Sequence, residues 1–115
     1  MSKYHDFVTF RQRMNKKILE QGNLEIKRFF ALDDKTFHPG ALEGKTKELM
    51  GLCASMVLRC DDCISYHIIQ ALEAGASRDE CFETFSIALL VGGSIVIPHL
   101  RRAVDFLEDL ESRKG

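Results

Sequence analysis

From Lys3 to Arg113 the apolar residues of this chain recur at three- and four-residue spacings and nowhere settle into the alternation of a strand, which commits the chain to helices. Tyr4, Phe7, Val8, Met14 and Ile18 stripe a first helix from Lys3 to Gln21, with Gly22 as its C-terminal cap. Asn23 can cap a second, shorter helix through about Leu32, whose buried stripe would include Leu24, Ile26, Phe29 and Phe30. The two form a helical hairpin. Asp33-Asp34 and Pro39-Gly40 then interrupt the pattern, so Asp33 to Gly44 reads as a loop with room for one turn near Phe37.

A third helix starts near Lys45 and carries Leu49, Leu52, Cys53, Met56 and Val57 inward. A bend is expected between Arg59 and Asp62, because paired aspartates suit a helix cap and first turn better than a helix interior. The fourth helix runs to about Ala74 and stops at Gly75. Ser77-Arg78-Asp79-Glu80 has the form of a capping box and opens a fifth, with Cys81, Phe82, Phe85 and the apolar run Ile87 to Val91. Gly92-Gly93 separates it from a last helix ending near Arg113, in which Pro98 belongs either to the first turn or to a kink. Ile95-Val96-Ile97 resembles a strand locally but is too short and lacks a partner. The expectation is one all-α domain over residues 1–115, of about six helices, with the third and fourth as an antiparallel pair at its centre.

At 115 residues the chain is large enough for a core but small enough that subunit association often adds buried surface. Sixteen basic residues against seventeen acidic ones supply no positive field for a phosphate backbone, so nucleic acid is not an expected partner. No apolar run approaches the roughly 18 residues of a membrane span, and the polar N-terminus has no signal-like segment, which reads as cytoplasmic. In a reducing compartment the four cysteines are redox, metal or core residues rather than a disulfide framework.

Only one pair has telling spacing. Cys60 and Cys63 stand three apart, His67 four further on, and Glu48 one helix earlier. On one helix face Cys63 and His67 lie about 6 Å apart along the axis, close enough for the imidazole to take the thiol proton. Residues three apart in a turn also bring their Cα atoms to roughly the 4.4–6.8 Å that a disulfide needs. A helix N-terminus favours the thiolate at Cys60, while Asp61 and Asp62 oppose it by repulsion. In an antiparallel hairpin Glu48 comes level with the middle of the next helix, where it could orient His67 and raise its basicity. Carboxylate, imidazole and thiol in that order are the parts of an activated nucleophile.

Glu48-x11-Cys60-x2-Cys63-x3-His67, followed by Ala71, Gly75-Ala76 and Gly92-Gly93, resembles the AhpD-like alkylhydroperoxidase branch of the carboxymuconolactone decarboxylase superfamily, over roughly Phe30 to Leu110. Asp62 stands where that branch has a relay histidine. The resemblance implies an all-helical subunit assembling as a homotrimer or homohexamer and a redox-active disulfide between Cys60 and Cys63. It also implies a proton relay through Glu48 and His67, a hydroperoxide or protein disulfide as substrate, and a thiol reductant. No cofactor and no bound metal are expected.

Other readings compete. In a non-catalytic oligomeric module Cys60 and Cys63 could serve only packing, or with His67 and Glu48 or Cys53 could ligate zinc, although ligands crowded on one helix close a tetrahedron poorly. Glu48 and His67 alone could act as acid and base in a decarboxylase-like lyase. Cys53 and Cys81, set among apolar residues without a partner, read as core. His99, before Arg101-Arg102, reads as solvated or capping rather than as part of a site.

Overall fold

The computed structural model describes residues 2–114; Met1 and Gly115, the ends of the expected domain, lie outside the described residues. The chain divides into two compact units, Met1–His38 and Pro39–Gly115.

The first unit holds α1 (Lys3–Gln21) and α2 (Leu24–Thr36). Ser2 caps α1 by accepting from the His5 amide, and Asn23 caps α2 by accepting from the Ile26 amide. The Gly22 amide closes α1 on the Ile18 carbonyl. Helix α2 runs four residues past the expected end at Leu32. Asp33 and Asp34 do not break it, because the Thr36 hydroxyl bonds back to the Leu32 carbonyl and Asp34 pairs with His38 one turn on. The loop is correspondingly shorter. The two helices flank an open cleft of about 220 Å³ lined by Arg11, Asn15, Phe29, Phe30 and Asp33. The expected stripe of α2 is not buried: neither helix contains a buried residue, and Phe29 is 68% exposed. Two helices alone have no third surface on which to close an apolar face.

The second unit holds α3 (Gly44–Val57), α4 (Asp61–Glu73), α5 (Arg78–Gly92), a 3-10 turn (Ser94–Val96) and α6 (Ile97–Lys114). Helix α3 packs against both α4 and α5, and α4 packs in turn against α6. The core is built from one stripe of each helix: Leu52 and Met56 of α3, Ile64, Ile68 and Ala71 of α4, Cys81, Phe85 and Ala88 of α5, and Ala103, Phe106, Leu107 and Leu110 of α6. Leu49, Cys53 and Val57, expected inside, are only partly covered. The apolar run of α5 also divides, with Ala88 inward and Ile87, Leu90 and Val91 outward.

The capping box at Ser77 and Glu80 is complete, and Glu80 also holds Lys45 of α3 at 3.0 Å. The Ser77 amide, followed by Lys45, holds the Glu80 carboxyl below its usual range. Pro98 sits in the first turn of α6, where its missing N–H leaves no helical bond unmade. Ile95 and Val96 lie in the 3-10 turn rather than in any strand. None of the described helices is long and apolar enough to cross a membrane.

Candidate active site

The turn from α3 to α4 sets the thiols. Helix α3 ends in a Schellman motif: the Arg59 amide bonds the Met56 carbonyl and the Cys60 amide bonds the Ser55 carbonyl, both at 3.0 Å. At the end of α4 the same pair recurs, the Gly75 amide bonding the Leu72 carbonyl and the Ala76 amide the Ala71 carbonyl. The left-handed residue is glycine there, with φ 98°, whereas Arg59 holds φ 61° with a full side chain. That conformation swings the chain so that Cys60 becomes the N-cap of α4. Its Sγ accepts from the Cys63 amide at 3.3 Å, the place usually taken by a serine or aspartate oxygen.

Cys60 and Cys63 are disulfide-bonded, with Cα atoms 5.3 Å apart. Cys60 is half-buried and Cys63 is the more exposed residue of the pair.

Glu48 and His67 meet across α3 and α4. Glu48 Oε1 lies 2.8 Å from His67 Nδ1, and the two side chains are 11% and 12% exposed. A carboxylate has no hydrogen to give, so Nδ1 donates, and in the neutral imidazole Nε2 is then the nitrogen that can accept a proton. The close approach of ring and helix depends on Gly51, one turn after Glu48. A Cβ there would stand 2.8 Å from His67 Cε1 and 2.9 Å from Nε2. Gly51 is thus a site residue that the spacing of thiols and imidazole does not reveal. Tyr66 sets its ring edge-on to His67, with centroids 5.2 Å apart.

The remaining cysteines stand apart from this chemistry. Burial pushes the Cys81 thiol up to about 11, with Glu80 and Glu111 adding to the effect, and burial also raises the Cys53 thiol. Neither is a ready nucleophile. Among the described residues no three His, Cys, Asp or Glu side chains converge as a metal-ligand set. His99 is not solvated: its Nδ1 lies 2.7 Å from Asp61 Oδ1, beside Cys60. Nothing in the 38-residue separation of that pair signals the contact.

With this geometry in view, the comparisons with known proteins agree with one another. Residues 26–106 match the model of the carboxymuconolactone decarboxylase family. The chain belongs to that family. Two crystal structures of a Thermotoga maritima protein superpose on it with TM-scores of 0.93 and 0.91 at 59% and 58% identity. Each covers 95% of this chain, and 96% and 92% of the respective Thermotoga chain. One of the two is described as a carboxymuconolactone decarboxylase family protein with a suggested involvement in antioxidative response. A Legionella pneumophila family member in apo form shares the fold at a TM-score of 0.85 and 24% identity, over 93% of this chain and 96% of its own. A Paracoccus denitrificans protein, known only as uncharacterized protein 4 in the cox locus, is 28% identical over 83 residues, 72% of this chain and 75% of its own length. In this carboxymuconolactone decarboxylase family chain, the Cys60–Cys63 bond opens helix α4, and His67, held by Glu48 of α3, lies on α4 one turn after Cys63.

Proposed function

We propose that this protein is a thiol-disulfide oxidoreductase of the alkylhydroperoxidase type, in which Cys60 and Cys63 cycle between dithiol and disulfide. The observation that carries the reading is the disulfide at the start of α4 with a carboxylate-held imidazole one turn beyond it. The description of the Thermotoga relative supports the same class of chemistry.

In the oxidative half, one thiolate attacks the terminal oxygen of a hydroperoxide. The O–O bond breaks, the alcohol leaves, and the cysteine becomes a sulfenic acid. The second thiol then displaces water from that sulfur and closes the disulfide. The two electrons come from the dithiol, and His67 Nε2 takes the thiol proton while Glu48 steadies the imidazolium. An external thiol returns the pair to the reduced state by exchange.

The working unit in this reading is a homo-oligomer, trimeric or hexameric. The uncovered stripes of α1 and α2, and Leu90 at 84% exposure, supply apolar surface for further copies of the chain.

The test is to reduce the protein, add an organic hydroperoxide and follow thiol loss in wild type, Cys60→Ser and Cys63→Ser. Wild type should lose two thiols per turnover, and neither variant should form the intramolecular bond. Peroxide consumption by both variants at the wild-type rate would overturn the proposal. Turnover of a lactone substrate unchanged in both variants would favour Glu48 and His67 acting alone as acid and base.

A further inference from the structure

Asp61 is the first residue of α4 and directly follows Cys60. A carboxylate is welcome in a helix's first turn, where free amides and the macrodipole favour negative charge. Beside a thiol that must ionise, it works the other way and repels the thiolate. The structure answers this conflict from a different helix. His99 Nδ1 lies 2.7 Å from Asp61 Oδ1, and Arg102 Nη1 lies 3.4 Å from Oδ2, so both carboxylate oxygens are engaged from α6. The His99 side chain is only 18% exposed.

The other charged groups around this turn do not perform the same task. Asp62 is exposed on the same first turn and adds negative charge. Arg59 is exposed in the preceding turn. Across the packed face of α3, Glu48 is occupied by His67. On α6 the neighbouring Arg101 is exposed.

We propose that His99 and Arg102 are positioning residues for the redox pair: His99 through a ring N–H and Arg102 through its guanidinium charge hold the two oxygens of the Asp61 carboxylate, so that Cys60 can carry negative charge at the α4 N-cap. The inference rests on the reading that Cys60 and Cys63 cycle. Its place in the cycle is the reductive half. Cys63 is the more exposed residue of the pair, and in this step a thiol reductant's thiolate attacks Cys63 Sγ. A new mixed disulfide forms there as the Cys60–Cys63 bond breaks, and the electron pair of that bond stays on Cys60 Sγ. The departing thiolate is the sulfur that accepts from the Cys63 amide. A second reductant thiolate then attacks the reductant sulfur of the mixed disulfide, which forms the reductant's disulfide and expels Cys63 as a thiolate, and Cys60 and Cys63 are protonated from solvent. An uncompensated Asp61 would disfavour the leaving group, whereas the hydrogen-bonded carboxylate does so far less.

His99 and Arg102 also tie α6 to α4, so a purely structural clamp is the alternative, and the experiment has to separate the two. The fully reduced protein is alkylated with iodoacetamide across a range of pH, and the rate at Cys60 is read by peptide mass spectrometry. The proteins compared are wild type, His99→Phe, Arg102→Met, Arg102→Lys, Asp61→Asn and Asp61→Asn combined with His99→Phe. Phenylalanine keeps the ring and removes the donor; methionine keeps the stem and removes the charge.

With the Asp61 carboxylate left without one of its hydrogen-bond donors near the surface, His99→Phe and Arg102→Met should each slow Cys60 alkylation near neutral pH about three- to tenfold and move its pH midpoint upward. Arg102→Lys should stay near wild type. Asp61→Asn should speed the reaction, and His99→Phe should add nothing once Asp61 is gone. Unchanged Cys60 profiles in His99→Phe and Arg102→Met would overturn the proposal, as would an equal slowing by His99→Phe with and without Asp61. Because Arg102 is exposed, its variants decide the matter even if His99→Phe disturbs the packing of α6. Alkylation reads the reduced thiol whether or not the protein turns over peroxide. A wild type inert to peroxide would therefore sink the redox reading, and an active wild type without the Asp61 coupling would sink this inference alone.

Discussion

Gly51→Ala sets two effects of opposite sign against each other at the centre of α3. Alanine is the better helix former, and at a position facing open space the change would stabilise the helix by about 0.5–1 kcal/mol. What faces Gly51 is the His67 ring. The added carbon would stand 2.8, 2.9 and 3.0 Å from Cε1, Nε2 and Nδ1, where ordinary contact begins at 3.4 Å. The ring would have to retreat by several tenths of an ångström while Nδ1 is held 2.8 Å from Glu48. Overpacking of this kind costs about 1–3 kcal/mol, and weakening a hydrogen bond to a charged group costs about 1.5–3 kcal/mol. The loss exceeds the gain in propensity, so the variant should be less stable by about 1–3 kcal/mol. The chemical effect should be larger. A positioned acid or base contributes about 10²–10⁴-fold to rate, and the displaced imidazole forfeits much of that. Rapid-mixing measurement of thiol loss with an organic hydroperoxide, beside a denaturant melt of the same samples, reads both quantities. A Gly51→Ala protein that is as stable as wild type and oxidises at the wild-type rate would refute the argument that Gly51 seats the relay.

Three other expectations follow from particular residues. Arg59→Gly should stabilise the fold by about 1 kcal/mol, since it relieves a left-handed residue in a motif that Gly75 makes without strain, and a denaturant midpoint that falls would contradict this. Cys81 has its thiol raised from 9.0 to about 11 in the folded chain, so its contribution to stability is intact below pH 9.0 and is lost as pH rises toward about 11. Cys81→Ala should therefore flatten that part of the stability profile, and an unchanged slope would show that another group carries it. Leu90→Asp with Val91→Asp should lower the mass seen by light scattering without unfolding the helices, and a wild-type protein that is already monomeric would end the oligomer proposal.

Much of this architecture is legible in the chain because helix period and caps agree. Ser77 with Glu80, Asn23, Gly75 and Pro98 all mark helix ends by chemistry that operates within one turn. Where local chemistry misleads, the cause is equally specific. Asp33 and Asp34 look like turn residues, yet bonds made by Thr36 and His38 carry α2 beyond them. An arginine at φ 61° leaves no mark in composition, so the bend before Cys60 is readable only from the aspartates that follow it.

The same division holds at the candidate site. Glu48 and His67 can be brought level by counting residues along two antiparallel helices, and the thiols can be paired by their spacing. Gly51 cannot be singled out in this way, because a glycine inside a helix has many possible reasons and only the ring 2.8 Å away selects one. The His99–Asp61 contact depends on the crossing of α4 and α6, a property of the packed core. Periodicity likewise shows that α2 has an apolar face and is silent about what covers it.

If Cys60 and Cys63 are a working redox couple, disulfide mapping should catch the bond forming. Reduced protein is treated with one equivalent of an organic hydroperoxide, its remaining thiols are blocked, and its peptides are sequenced by mass spectrometry. A Cys60–Cys63 linked peptide should form and then disappear on adding a dithiol, with Cys53 and Cys81 still recovered as thiols after unfolding. Oxidation that leaves Cys60 and Cys63 unlinked, or that falls on Cys53 or Cys81 instead, would contradict it.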